Sequence, residues 1–178
     1  MTEQKNTHAQ TSYLAHYDGL TGLINRATLK TRVDEALLTA EQQRRRLAIC
    51  FIDLDGFKAI NDHFGHEKGD EVLKKAANNL KRCVRENDVV ARLSGDEFVV
   101  LLSSIKEKSH IIAIVKKIMQ QLQQTVSDST ITLSVTSSIG IAFHPDNGLN
   151  YEQLLSHADK AMYVAKARGR NQYAFFSE

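Results

Sequence analysis

The chain has 178 residues, 42% of them hydrophobic and 25% charged, enough for one domain with a real core. Its formal net charge of +2 is too small to mark a nucleic-acid surface, so any phosphate site must be a local cluster of basic groups. The polar start has no apolar signal core and no stretch nears membrane-spanning length, so the expectation is a cytoplasmic protein without a membrane segment.

In chain order, residues 1–17 read as a linker or the lead-in to a helix, and residues 18–178 as the folded domain. Asp18-Gly19-Leu20-Thr21-Gly22-Leu23-Ile24-Asn25-Arg26 carries two glycines and an asparagine, the marks of a structured loop. Leu29, Val33, Leu37 and Leu38 recur at helical spacing and predict a helix over 27–44. The run from Leu47 to Ile52 is apolar on both faces, which predicts a central strand. It stops abruptly at Asp53-Leu54-Asp55-Gly56-Phe57-Lys58. A short helix over 59–64, a break with a loop from Gly65 to Gly69, and a longer helix over 70–84 follow.

Two β-branched runs, Val89 to Leu93 and Phe98 to Leu102, flank Ser94-Gly95-Asp96-Glu97 and predict a hairpin with two acids at its tip. A helix over 107–124 comes next. From 131 to 143 apolar residues alternate with Thr and Ser, predicting a strand with one packed face. Asn150 and Gln153 resemble a capping box for a helix running to about Arg168, and Gly169 suits the residue just past its end. A strand over 173–176 closes the chain. Strands and helices interspersed around an antiparallel pair predict an α/β or α+β layer. Cys50 and Cys83 fall on apolar stripes and read as small core residues of a reducing compartment.

Several residues stand where chemistry is possible. A carboxylate ending a buried strand, as Asp53 does, is costly unless paired or bound to a cation; the same residue could equally cap the following turn. Asp55 favours the capping role. Asp96 and Glu97 point to opposite sides if extended, so one of them can meet Asp53; two distant carboxylates are what Mg²⁺ takes when it also holds substrate phosphates, while the competing reading is a solvated acidic turn. Lys58, Lys166 and Arg170 are candidate phosphate contacts, although Lys166 and Arg170 also suit a helix C-terminus. Asn61 and Asp70 could pair with a purine or serve as caps. His66 orders the Gly65–Gly69 loop. Arg85 and Asp88 could pair on the surface or bind a nucleotide together.

Five stretches together resemble the GGDEF family of bacterial diguanylate cyclases, over nearly the whole span from Asp18 to Phe176. They are the 18–26 loop, Asp53 to Asp62, His66-Glu67-Lys68-Gly69-Asp70, Arg92-Leu93-Ser94-Gly95-Asp96-Glu97-Phe98, and Ala158 to Asn171. The resemblance implies an α+β fold like the polymerase palm and the class III nucleotide cyclases: a mostly antiparallel five-stranded sheet surrounded by helices, ferredoxin-like. It implies that two GTP become cyclic di-GMP with release of pyrophosphate, in a homodimer with one GTP per subunit. Asp53, Leu54 through its carbonyl, Asp96 and Glu97 match metal-binding positions for Mg²⁺ or Mn²⁺, two per site. Asp53, Asp96 and Glu97 are the catalytic candidates, Glu97 as helper of the attacking hydroxyl. Asn61 and Asp70 match the guanine-reading pair, and Phe57, Lys58, His66, Lys166 and Arg170 the remaining substrate contacts. Arg85 and Asp88 match an inhibitory Arg-x-x-Asp site for the product. The resemblance also implies an upstream sensory or receiver domain, or a partner, that brings two copies together. Serine at 94 replaces the family's first glycine, which leaves a non-catalytic sensor of GTP or cyclic di-GMP as the alternative.

Overall fold

The computed structural model describes residues 2–123, 126–127 and 130–178. Five strands form one sheet in the order β2-β3-β1-β6-β7, with a two-stranded β4-β5 ribbon beside it. The elements are α1 (Thr2–His16), α2 (Arg26–Gln43), β1 (Arg46–Leu54), α3 (Phe57–Phe64), α4 (His66–Cys83), β2 (Val89–Ser94), β3 (Glu97–Ile105), α5 (Lys108–Leu122), β4 (Val126–Ser127), β5 (Thr132–Leu133), β6 (Ser137–His144), α6 (Tyr151–Ala167) and β7 (Gln172–Phe175). All pairings within the five-stranded sheet are antiparallel except β6 with β7. This is an α+β fold, one of the two layer types the order of elements allowed and the one the resemblance implied.

The two faces of β1 organise the core. Ala48, Cys50, Ile52 and Leu54 pack with α3, α4 and α5, while Leu47, Ile49 and Phe51 pack with α2 and α6. Alternation along the strand therefore sends Asp53 to the α2/α6 side. Cys50 is fully buried, and burial pushes its thiol up to about 12, which leaves it inert.

The structure revises three local expectations. The 131–143 stretch is two pieces, β5 and β6, and β6 is buried on both faces. The second face is closed because Gly140 lies under α6, where a Cβ would stand 1.9 Å from the Ala158 carbonyl oxygen and 2.1 Å from the Met162 nitrogen. The Gly65–Gly69 stretch is not a loop: Gly65, at φ +85, is the sole joint between α3 and α4, and His66 opens α4 on an exposed turn. At the start of α6, Asn150 accepts from the Gln153 N–H at 2.9 Å, but the Gln153 side chain reaches back to Leu149 rather than to Asn150 itself. The last residue of the expected 107–124 helix, Gln124, lies outside the described residues.

The 18–25 loop is tied to the sheet edge. Ile24 bridges Ala91, and the Ile24 carbonyl accepts from the Arg92 N–H at 3.1 Å. Asn25 caps α2 through Thr28 and also donates to the last carbonyls of α1, at Leu14 and Ala15. No helix among the described residues is long and apolar enough to cross a membrane.

Candidate active site

β1 and β3 end together, so Asp53 lies directly opposite Glu97 in the ladder. One residue earlier, at the hairpin tip, the Asp96 carbonyl accepts from the Leu54 N–H at 3.4 Å. The Asp96 side chain meets Asp53 closely enough for the two carboxyls to share a hydrogen bond. Burial first, and then that bond and the Asp53 charge, push the Asp96 carboxyl up to about 7, with Lys166 pulling the other way. Asp53 is buried and holds the Lys166 ammonium, Nζ to Oδ2, at 2.7 Å. Lys166 therefore does more than complement the dipole of α6: it crosses from the last turn of that helix to the end of the central strand.

One lysine balances the pair only while Asp96 keeps its proton; once both facing carboxyls are ionised, above about 7, they are one positive charge short. Hard oxygens of this kind fit a small divalent cation that completes its shell with phosphate oxygens and water. Among the described residues no group of three or more acids, histidines or cysteines gathers around one point.

The other substrate-contact candidates lie on α3 and α4, which follow β1, and on the turn after α6. Gly56, at φ +73, provides no side chain to cap α3, so no side chain covers the backbone N–H groups of its first turn, at Phe57 and Lys58. Phe57 itself is buried and Lys58 is exposed. Asn61 and Asp70 come from α3 and α4, on either side of the Gly65 joint. Asn61 is half-buried and its amide rests against Gly69, while Asp70 is exposed. Arg170 is exposed on a left-handed turn, φ +62, just after α6, and makes no ion pair among the described residues.

Arg85 and Asp88 do not pair through their side chains. Asp88 accepts from the backbone N–H of Arg85 at 2.9 Å and of Ser103 at 3.0 Å, and the Arg85 guanidinium lies against His110. Both residues line a cavity of about 300 Å³ that also meets Arg32 and Lys81.

Three structural supports went unrecognised in the sequence. Asp55 accepts from the Thr136 and Ser138 hydroxyls, each at 2.7 Å, and from the Asn171 N–H at 3.0 Å, so it ties β1, β6 and the turn carrying Arg170 together. Arg92 joins the carboxylate of Asp18 to the Gly95 carbonyl. Ser94 donates its hydroxyl to Glu97 Oε2 at 3.2 Å. Asp18 and Arg92 were visible as opposite charges in two separate motifs; their contact was not.

The chain belongs to the family described as diguanylate cyclase, GGDEF domain, whose model matches residues 15–172. It is 42% identical over 163 residues to the bifunctional diguanylate cyclase/cyclic di-GMP phosphodiesterase MucR of Pseudomonas aeruginosa, covering 92% of this chain and 24% of MucR. It is 41% identical over 168 residues to the diguanylate cyclase TpbB of the same species, covering 93% of this chain and 38% of TpbB. The crystal structure of the TpbB GGDEF domain superposes with a TM-score of 0.86 at 40% identity, over 89% of this chain and 99% of that one. The cyclic di-GMP phosphodiesterase NbdA, also from P. aeruginosa, is 36% identical over 178 residues, 99% of this chain and 22% of NbdA. The chain thus spans well under half the length of each of these three curated relatives.

Proposed function

We propose that this domain is a diguanylate cyclase that condenses two GTP into cyclic di-GMP. The observation that carries the reading is the meeting of Asp53, Asp96 and Lys166 at the end of the central strand. A site that crowds two carboxyls beside a lysine suits a triphosphate that arrives with its own divalent cation.

In this reading Asn61 and Asp70 hold the guanine, with the His66 turn of α4 beside them. The α3 N-terminus at Phe57, together with Lys58, Lys166 and Arg170, holds the triphosphate. Asp53, Asp96, Glu97 and the Leu54 carbonyl are the oxygens that would hold Mg²⁺ or Mn²⁺, two per site. The chemistry such ions supply when bound is neutralisation of charge at the transferring phosphate and the leaving pyrophosphate. Glu97 takes the proton of an incoming 3′-hydroxyl. The O3′–Pα bond forms, the bond from Pα to the bridging oxygen breaks, and pyrophosphate leaves. Each substrate must present its hydroxyl to the other's α-phosphate, so the reaction needs two copies of the domain face to face in a homodimer. A sensory or receiver domain, or a separate partner, would control that meeting in the cytoplasm.

Product feedback is assigned to Arg85 and Asp88. The fixed Asp88 carboxylate and the cations Arg32, Lys81 and Arg85 around one cavity favour an anionic nucleotide there. Arg85→Ala is expected to relieve inhibition by added cyclic di-GMP without lowering the initial rate.

A second reading has support in the likeness to NbdA, a protein named for phosphodiesterase activity. There the domain would bind GTP or cyclic di-GMP without turnover. Incubation with GTP and Mg²⁺ across a range of protein concentrations separates the two. Cyclic di-GMP formation that rises steeply with protein concentration supports the cyclase; nucleotide binding with no product at any concentration supports the sensor.

A further inference from the structure

Gly69 is a buried helical glycine in α4, and its φ lies outside the left-handed range. A glycine inside a helix costs about 1 kcal/mol relative to alanine, so conformational freedom does not account for it. Space does. A Cβ on Gly69 would stand 1.8 Å from Asn61 Oδ1, 2.9 Å from Asn61 Cγ and 3.3 Å from Phe57 Cζ. The two worst contacts are both with the free end of one side chain, which can turn away. No backbone atom is among the three nearest. An alanine here would leave the backbones of α3 and α4 in place, expel the Asn61 amide, and press the buried Phe57 ring by only a few tenths of an ångström.

We infer that Gly69 is a specificity-determining residue: it seats the Asn61 amide against α4, beside Asp70, where the two together read a guanine edge. This rests on the reading above that Asn61 and Asp70 face the base. Guanine offers N–H donors that suit the Asp70 carboxylate and acceptors that suit the Asn61 amide N–H, a pattern adenine does not repeat. A site built to pair such groups discriminates strongly only while its own groups are held in place. The chain carries its discrimination partly in a missing side chain: the Asn61 amide occupies the place a Cβ at position 69 would take.

The test is calorimetric binding of the α,β-methylene analogues of GTP and ATP, which cannot release pyrophosphate, to the unmodified domain and to Gly69→Ala, Asn61→Ala and the double variant. Gly69→Ala is expected to weaken the GTP analogue about tenfold, with the ATP analogue little changed. The double variant is expected to bind no worse than Asn61→Ala, because the amide is already displaced. The unfolding temperature of Gly69→Ala is expected to match or exceed that of the unmodified domain. GTP affinity unchanged in Gly69→Ala overturns the inference. So do losses that multiply in the double variant, an unfolding temperature lowered by several degrees, or an unmodified domain that does not prefer the GTP analogue. Cyclic di-GMP formation is assayed separately: a domain that binds GTP selectively but makes no product refutes the cyclase reading and leaves the role of Gly69 standing.

Discussion

Arg92 donates to both carboxylate oxygens of Asp18, at 3.0 and 3.1 Å, and with its Nε to the Gly95 carbonyl at 2.9 Å. One guanidinium thus couples the loop that follows α1 to the turn that presents Asp96. Partial burial alone would raise the Asp18 carboxyl, but the two Thr21 hydrogen bonds and Arg92 outweigh it and hold it below its usual value. A depressed carboxylate contributes stability above the unfolded value of 3.8 and loses it as pH falls through the folded value. Arg92→Gln is expected to cost about 2 kcal/mol in urea unfolding at pH 7. The gap to the unmodified chain is expected to narrow on acidification toward pH 3. A gap that is flat with pH would show that the pair does not act through the Asp18 charge.

Asp96 has the opposite sign. Its folded value of about 7 lies above the ordinary 3.8, so between the two the folded chain keeps a proton that the unfolded chain has lost. Stability without divalent cations therefore declines as pH rises across that window. Asp96→Asn is expected to remove the penalty, raising the unfolding temperature at pH 8 by about 2–4 °C for a gain of about 1 kcal/mol after allowance for solvent screening. The same variant is expected to make no cyclic di-GMP. Added Mg²⁺ is expected to stabilise the unmodified chain more at pH 8 than at pH 5, and to have little effect on the Asn variant. Equal Mg²⁺ stabilisation of both proteins would place the cation elsewhere.

Asp55 is the structural member of the Asp53-Leu54-Asp55 run. Removing its carboxylate strands two hydroxyls and the Asn171 N–H at once. Asp55→Ala is expected to destabilise the fold by about 2–3 kcal/mol and to weaken GTP binding through the Arg170 turn. Asp55→Asn, which retains an acceptor, is expected to lose less in both measurements. Undiminished stability in Asp55→Ala would show that the three donors find other partners.

The serine at 94 sits in β2 with an ordinary backbone, while the left-handed angle of the turn, φ +48, belongs to Gly95. Position 94 therefore does not require glycine. Ser94→Gly is expected to keep turnover within about threefold and stability within about 1 kcal/mol. Gly95→Ala, forced into a left-handed conformation, is expected to cost about 1 kcal/mol or more. If Ser94→Gly raised turnover more than tenfold, the hydroxyl on Glu97 Oε2 would be a brake.

Sequence reading served best where the signal was local. The two-sided apolar run ending at Asp53 and the hairpin with Asp96 at its tip could be read from neighbours a few residues apart, and the structure brings those two acids together. It fared worse where a residue's purpose lies across the fold. Asp55 finds its hydroxyl partners in β6 and just before it, more than eighty residues away in sequence. The two-sided burial of β6 was hidden because Gly140 and Ala142 carry little hydrophobic signal, yet their smallness is what admits α6. Lys166 illustrates both limits: its place at a helix end was plain, but only the meeting of α6 with β1 decides between dipole and carboxylate.

The seat of α6 on Gly140 has a reach beyond the point of contact. The obstacle to any side chain at 140 is helix backbone, at Ala158 and Met162, which cannot swing aside as a side chain would. The helix therefore rides at a depth set by a single hydrogen atom. Lys166 leaves that helix eight residues beyond Ala158, about 12 Å along its axis. The helix acts as a stiff lever with its fulcrum in mid-sheet and an ammonium at its tip. A methyl group added at the fulcrum would be felt one strand away, as a change in the grip on Asp53.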